Sequence, residues 1–167
     1  MILGVDPGGK GALVTLDYFG KLESFIPMPM TKTNKPYDAA EVDVNLLESY
    51  VKSVLALDPN VFAFCERPSS YGMLSSSAFT YGFNFALLSK VLERYCSNLT
   101  YVQSGTWTRV IHEGEDKDLK PKAKSLLVFG KLYSMEPKYL FGKLNKASLE
   151  GLVDAMLIAE YGRRMSK

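Results

Sequence analysis

Ile2-Leu3-Gly4-Val5-Asp6-Pro7-Gly8-Gly9-Lys10-Gly11-Ala12 opens the chain with an apolar run that ends on an acid inside a glycine-rich turn. This pattern predicts a buried strand that delivers the Asp6 carboxylate into a tight turn, with a second apolar run, Ala12 to Leu16, returning at once. The device recurs at Phe62-Ala63-Phe64-Cys65-Glu66, where an apolar run again ends in an acid. Glu150 and Asp154 lie four residues apart in an otherwise apolar helical stretch, and so share one helix face. Acids at the ends of core elements are costly unless something compensates them, and a bound divalent cation is the usual compensator.

Outward from these acids the chain reads as alternating elements. Strands are expected over residues 2–7, 11–17 and 20–27, joined by the Pro-Gly-Gly turn and by Tyr18-Phe19-Gly20-Lys21, as an antiparallel meander. Residues 28–42 read as an exposed loop. Asp43 can cap a helix from Val44 to Leu57, which Asp58-Pro59-Asn60 ends. Val61 to Cys65 reads as a strand buried on both faces, Pro68 to Ser77 as a serine-rich loop and Ala78 to Tyr95 as a long helix with Gly82 as a weak or close-packing point. A strand at Leu99 to Val102, a short helix capped by Ser104, a charged loop from Gly114 to Pro121, and helices from Lys122 to Leu132 and Ser148 to Arg163 complete the chain. Strands separated by helices pair in parallel through right-handed crossovers. The expected architecture is α/β: a mixed five-stranded sheet, three antiparallel strands then parallel strands, with helices on both faces. Asp6 and Glu66 fall at carboxyl ends of strands, where ligands of such sheets bind, and they lie side by side if their strands are neighbours.

With 167 residues, 47% of them hydrophobic, the chain suits one globular domain over residues 1–167 with a substantial core. The net charge of +2 neither demands nor excludes nucleic acid, but the lysines crowd the later third. Cys65 and Cys96 read as reduced structural thiols of a cytosol-like compartment, and no apolar stretch is long enough to span a bilayer.

Four carboxylates converging without metal repel one another, and some must hold protons. With two Mg²⁺ or Mn²⁺ ions per site the cluster becomes stable through oxygen ligands and leaves positions for a phosphate and a water. Two such ions, about 3.5–4 Å apart, activate a water and stabilise the leaving oxygen of a phosphodiester cleavage. Singly, each acid has an ordinary reading. Asp6 suits a turn, Glu66 an ion pair with Arg67 or a lysine, and Glu150 the start of a helix. Asp154, inside an apolar helix, resists such a reading.

The ordered set resembles a known family. Ile2 to Gly8 with Gly11-Ala12, the acidic strand end Phe64-Cys65-Glu66, the small residues of Gly82 to Leu88 and the helix Leu152-Val153-Asp154-Ala155-Met156-Leu157-Ile158-Ala159 are similar to RuvC-type Holliday-junction resolvases of the ribonuclease H-like superfamily. Trp107 followed by a basic segment resembles the phage-like members. The resemblance implies a Mg²⁺-dependent homodimeric endonuclease that cuts four-way DNA junctions, with Asp6, Glu66, Glu150 and Asp154 as catalytic metal ligands. The bacterial members carry two aspartates three apart on the final helix. Here Gly151 holds the first of those positions, Glu150 is expected to substitute for it, and an Arg-Pro pair follows Glu66.

DNA would be held by phosphate contacts from Lys117, Lys120, Lys122 and Lys124, and by Lys10 near the cleaved phosphate. Tyr71 and Met73 are candidates to wedge against unstacked bases at a branch point. Two cuts across a junction suggest a C2 dimer, with the long helix from Ala78 as its contact. Alternatives are a ribonuclease H-like nuclease on flaps or RNA–DNA hybrids, a non-catalytic junction-binding protein, and a nucleotide-binding module of the actin and sugar-kinase type. The last requires a second phosphate loop, for which the chain is too short. Trp107 reads as core and His112 receives no role.

Overall fold

In the computed structural model, residues 1–31, 40–69, 74–142 and 144–166 are described. Strands β1 (Ile2–Asp6), β2 (Ala12–Leu16) and β3 (Leu22–Pro27) form the expected meander. Helix α1 (Val44–Leu57), strand β4 (Phe62–Arg67), helix α2 (Ser75–Tyr95) and strand β5 (Asn98–Gln103) follow, then helices α3 (Ser104–Ile111), α4 (Pro121–Tyr133), α5 (Pro137–Phe141) and α6 (Lys146–Met165). The sheet order is β3-β2-β1-β4-β5. Pairings β1–β2 and β2–β3 are antiparallel, and β1–β4 and β4–β5 are parallel. This is the mixed five-stranded sheet anticipated above.

The period-two alternation of the strands divides the core into two layers. Ile2, Val14, Leu16 and Phe64 join the core that α3, α4, α5 and α6 complete. Leu3, Val5, Leu13, Ala63 and Cys65 point the other way, toward Leu47 and Val51 of α1 and Leu88 and Leu92 of α2. Cys65 and Cys96 are free and buried. Helix α6 is buried almost all round, as its apolar sequence requires. It lies directly on β1 because Gly4 has no side chain: a Cβ there would overlap the backbone of Ala155 and Ala159. Its one fully buried acid, Glu160, is held by Arg163 at 2.6 and 2.9 Å and by Arg164 at 2.9 Å. Burial pushes its carboxyl up, but these two guanidiniums outweigh burial and leave it below the usual range.

Several boundaries differ from the sequence reading. Asp43 caps α1 as expected, its Oδ1 accepting from the Leu46 amide at 3.0 Å. Ser104 caps nothing, because β5 runs on to Gln103 and Ser104 is already the first residue of α3. Ser75 to Ser77 belong to α2 and not to a loop. That helix starts without a side-chain cap, so its serines carry no start signal. Among the described residues nothing lies within contact of a Cβ at Gly82, so none of them packs closely there. Helix α5, five residues long, is too short to show periodicity, and it is anchored by Phe141 edge-on to Phe25 at 5.0 Å. Around the 28–42 segment, Met30 bridges to Val42. No helix among the described residues is long and apolar enough to cross a membrane.

Candidate active site

The parallel register pairs Val5 with Cys65, so the next residues, Asp6 and Glu66, leave adjacent strands side by side. Both continue the face that carries Gly4 and Phe64, which is the face covered by α6. Asp154 projects from α6 to the same place. The three carboxylates line one cavity of about 530 Å³, together with Tyr81 of α2, Ser104 and Trp107 of α3, His112, and Lys122 and Ser125 of α4.

Each acid is held by a different neighbour. The Gly8 amide donates to Asp6 Oδ1 at 3.1 Å, and the turn is closed by the Gly11 amide on the Gly8 carbonyl at 2.7 Å. The Trp107 indole Nε1–H donates to Glu66 Oε2 at 3.1 Å, and Ser104 lies in the same cavity. Ser125, itself buried, lies beside Asp154 and opposes the rise of its pKa. His112 Nε2 lies 3.2 Å from Ser125 Oγ.

The acids also act on one another. Burial pushes Asp6 up to about 6 despite the Gly8 hydrogen bond, and Glu66 adds to the rise. Burial likewise lifts Asp154 to about 6, opposed by Ser125 and reinforced by Asp6 and Glu150. Glu66 is raised by burial and by Asp154, against the Trp107 hydrogen bond and the nearby Ser104. Three carboxylates so placed make a poor environment for their own charge and a good one for a cation. Among the described residues, no three Asp, Glu, His or Cys side chains stand at metal-ligating spacing. The donors are carboxylate oxygens, the chemistry that a hard divalent ion takes.

Glu150 does not line this cavity. It lies beside it, in a narrow space with Lys122, Ser125 and Asp154, and Lys122 Nζ meets its Oε2 at 2.7 Å. Lys146 approaches the other oxygen at 3.9 Å. Gly151 packs on the Asp6 turn, where a Cβ would overlap the Lys10 carbonyl oxygen, so no ligand side chain fits at that helix position.

Lys122 lines the acid cavity, while Lys117 and Lys124 line an adjoining cavity of about 400 Å³ with Arg109, Glu115 and His112. Glu115 there is already paired with Lys131 at 2.6 Å. Lys120 is exposed just before α4, and Lys10 is exposed in the turn after Asp6. Tyr71 and Met73 lie outside the described residues. The residues that the sequence reading missed are Tyr81, Trp107, His112 and Ser125. Their contacts join distant segments, and the only local signal was a lone tryptophan in a short helix directly after a strand.

No family model matches the sequence, and no curated protein matches it. Among solved structures, the chain is similar to Thermus thermophilus RuvC in complex with a Holliday junction substrate, with a TM-score of 0.62 and 14% identity over 98% of this chain and 94% of that one. A second structure of T. thermophilus RuvC gives a TM-score of 0.57, again at 14% identity, over 99% and 96%. The fold is ribonuclease H-like. In this ribonuclease H-like sheet the acid cavity sits at the carboxyl ends of the two central strands, β1 and β4, beneath α6.

Proposed function

We propose that this protein is a metal-dependent, structure-selective DNA endonuclease that cuts four-way junctions and related branched DNA, with residues 1–167 acting as one nuclease domain. The observation that carries this reading is the gathering of Asp6, Glu66 and Asp154 from three separate elements into one cavity, where burial and mutual repulsion raise all three pKa values. The likeness of the fold to a RuvC solved with a Holliday junction supports the choice of substrate. Trp107, by its resemblance to phage-like resolvases, favours that branch.

Asp6, Glu66 and Asp154 would hold Mg²⁺, with Mn²⁺ able to replace it and two ions per site. Glu150 would join as a fourth ligand once Lys122 releases it. When bound, these ions supply an activated water and charge stabilisation at the leaving oxygen. Asp6 would be oriented for this by the Gly8 amide on Oδ1, and Glu66 by Trp107 on Oε2. Lys122, drawn to Asp6 and Asp154 as well as to Glu150, holds positive charge where a phosphate would enter. Arg109, Lys117 and Lys124 extend that path along the backbone of the bound strand.

The substrate's symmetry calls for two active sites, and we assign the dimer contact to α2, which exposes Phe79 and Phe83, with Leu74 exposed just before it. The deciding experiment incubates the protein with a labelled immobile four-way junction, a flap and an RNA–DNA hybrid, with Mg²⁺ and with EDTA. Paired symmetrical nicks in the junction, present only with metal, are expected. Cleavage confined to the hybrid or flap reassigns the substrate, and junction binding without cutting in any metal rejects the enzyme.

A further inference from the structure

Helix α3 touches one of the three cavity acids, and the residue after it touches a neighbour of a second. Trp107 is buried, and its indole N–H reaches Glu66 Oε2 at 3.1 Å. One turn on, His112 packs edge-on to the Trp107 ring, with centroids 5.9 Å apart, and its Nε2 lies 3.2 Å from Ser125 Oγ. Ser125, 4% exposed, lies against Asp154 in the seam between α4 and α6. An ionised carboxylate only accepts hydrogen bonds, and a serine has one O–H to give. If Ser125 donates to Asp154, its oxygen accepts from His112, so His112 must carry its proton on Nε2.

We infer that α3 is a brace for the acid cluster, in which Trp107 holds Glu66 directly and His112 holds Asp154 through Ser125. The inference rests on the proposed nuclease reading and names the positioning residues of that same site. Trp107, His112 and Ser125 touch no substrate in this scheme. They hold Glu66 and Asp154 in place from outside the metal's own ligand set. Outer partners of this kind, once removed, lower metal affinity about 10- to 100-fold in other metal sites. A buried tryptophan N–H needs an acceptor, so the pair serves both residues.

The chain holds one tryptophan and one histidine, so each gives a single assignable NMR signal. At pH 8 without metal, the indole N–H resonance is expected downfield and slowly exchanging, and Glu66→Gln should move it upfield. The histidine ¹⁵N shifts should report the Nε2–H form, which Ser125→Ala should convert to a mixture. Calorimetry with Mn²⁺ should show affinity about tenfold weaker or more in Trp107→Phe and in Ser125→Ala. Removal of the larger ring can disturb folding, so Glu66→Gln and Ser125→Ala, which keep Trp107, carry the test on their own. An indole signal unmoved by Glu66→Gln, a histidine protonated on Nδ1, or unchanged Mn²⁺ affinity in Ser125→Ala overturns the brace. If the parent protein takes up no Mn²⁺ while both NMR signals behave as stated, the nuclease reading fails and the brace stands. If cutting needs metal but neither signal moves, the reverse holds.

Discussion

Asp6 and Asp154 each carry a conflict that a single atom can relieve. Burial and neighbouring acids raise both from the ordinary aspartate value to about 6. A group whose folded pKa is raised binds its proton more tightly in the folded state, so above that pKa its charge opposes folding. A shift of that size corresponds to a cost on the order of 2–3 kcal/mol per residue at neutral pH. Asparagine keeps the shape and removes the charge. We therefore expect Asp6→Asn and Asp154→Asn to abolish cutting, to retain binding of a four-way junction, and in EDTA at pH 8 to melt above the parent protein. Gel-shift and cleavage assays on one junction check the first two outcomes, and a thermal scan checks the third. Full cutting by either variant would remove that aspartate from the proposed metal site.

Helix α6 explains both what the sequence displays and what it conceals. Its apolar circumference and its Asp154 are local features, so the buried final helix and its inward acid were readable without coordinates. The same is true of β1 and β4, each an apolar run ending on an acid, whereas the shared face of Asp6 and Glu66 depends on how the two strands pair. The parallel direction of β1 and β4 followed from the crossover rule, while their adjacency and register came only with the fold. Trp107 on Glu66 and Ser125 on Asp154 were hidden, because such contacts depend on how α3 and α4 dock and no period or spacing encodes that. Gly151 was read as a departure from a family pattern, and packing supplies its cause: the helix meets the Lys10 carbonyl there. Gly151→Asp, which restores the family's acid, is therefore expected to lower the melting temperature without strengthening Mn²⁺ binding. Overpacking of this kind costs about 1–3 kcal/mol or more. A stable Gly151→Asp protein with tighter Mn²⁺ uptake would show that α6 can shift to admit a ligand.

The whole chain is nearly neutral, at +2, so its affinity for DNA must come from where its charges lie. Glu150 occupies Lys122, Glu115 occupies Lys131, and Glu160 occupies Arg163 and Arg164. Among the described residues, Arg109, Lys117 and Lys124 of the adjoining cavity form no ion pair. Each phosphate contact contributes about one unit to the slope of log affinity against log salt. Lys117→Ala and Lys124→Ala should each flatten that slope by about one unit in a salt titration, and an unchanged slope in both would move the DNA path elsewhere.

Metal and pH act on the same charges, and the sign of their joint effect is fixed. In EDTA the raised pKa values of Asp6 and Asp154 contribute stability that is full below about pH 4 and is lost as pH rises through about 6. Glu160 works in the opposite sense, since its lowered pKa gives stability above the carboxylate range that is lost as pH falls. The melting temperature alone mixes the two. The difference between Asp154→Asn and the parent cancels the Glu160 contribution, so it should grow from near zero at pH 4 to a plateau above pH 6. A cation bound only by the ionised, folded site stabilises it by RT ln(1 + L/Kd), with L the free cation concentration, and so only where those acids are ionised. Saturating Mg²⁺ should therefore raise the parent's melting temperature at pH 8 and leave it unchanged at pH 4. The same Mg²⁺ should shift Asp154→Asn much less at either pH. An equal Mg²⁺ effect at both pH values, or an equal effect on the two proteins, would place the cation outside the acid cavity.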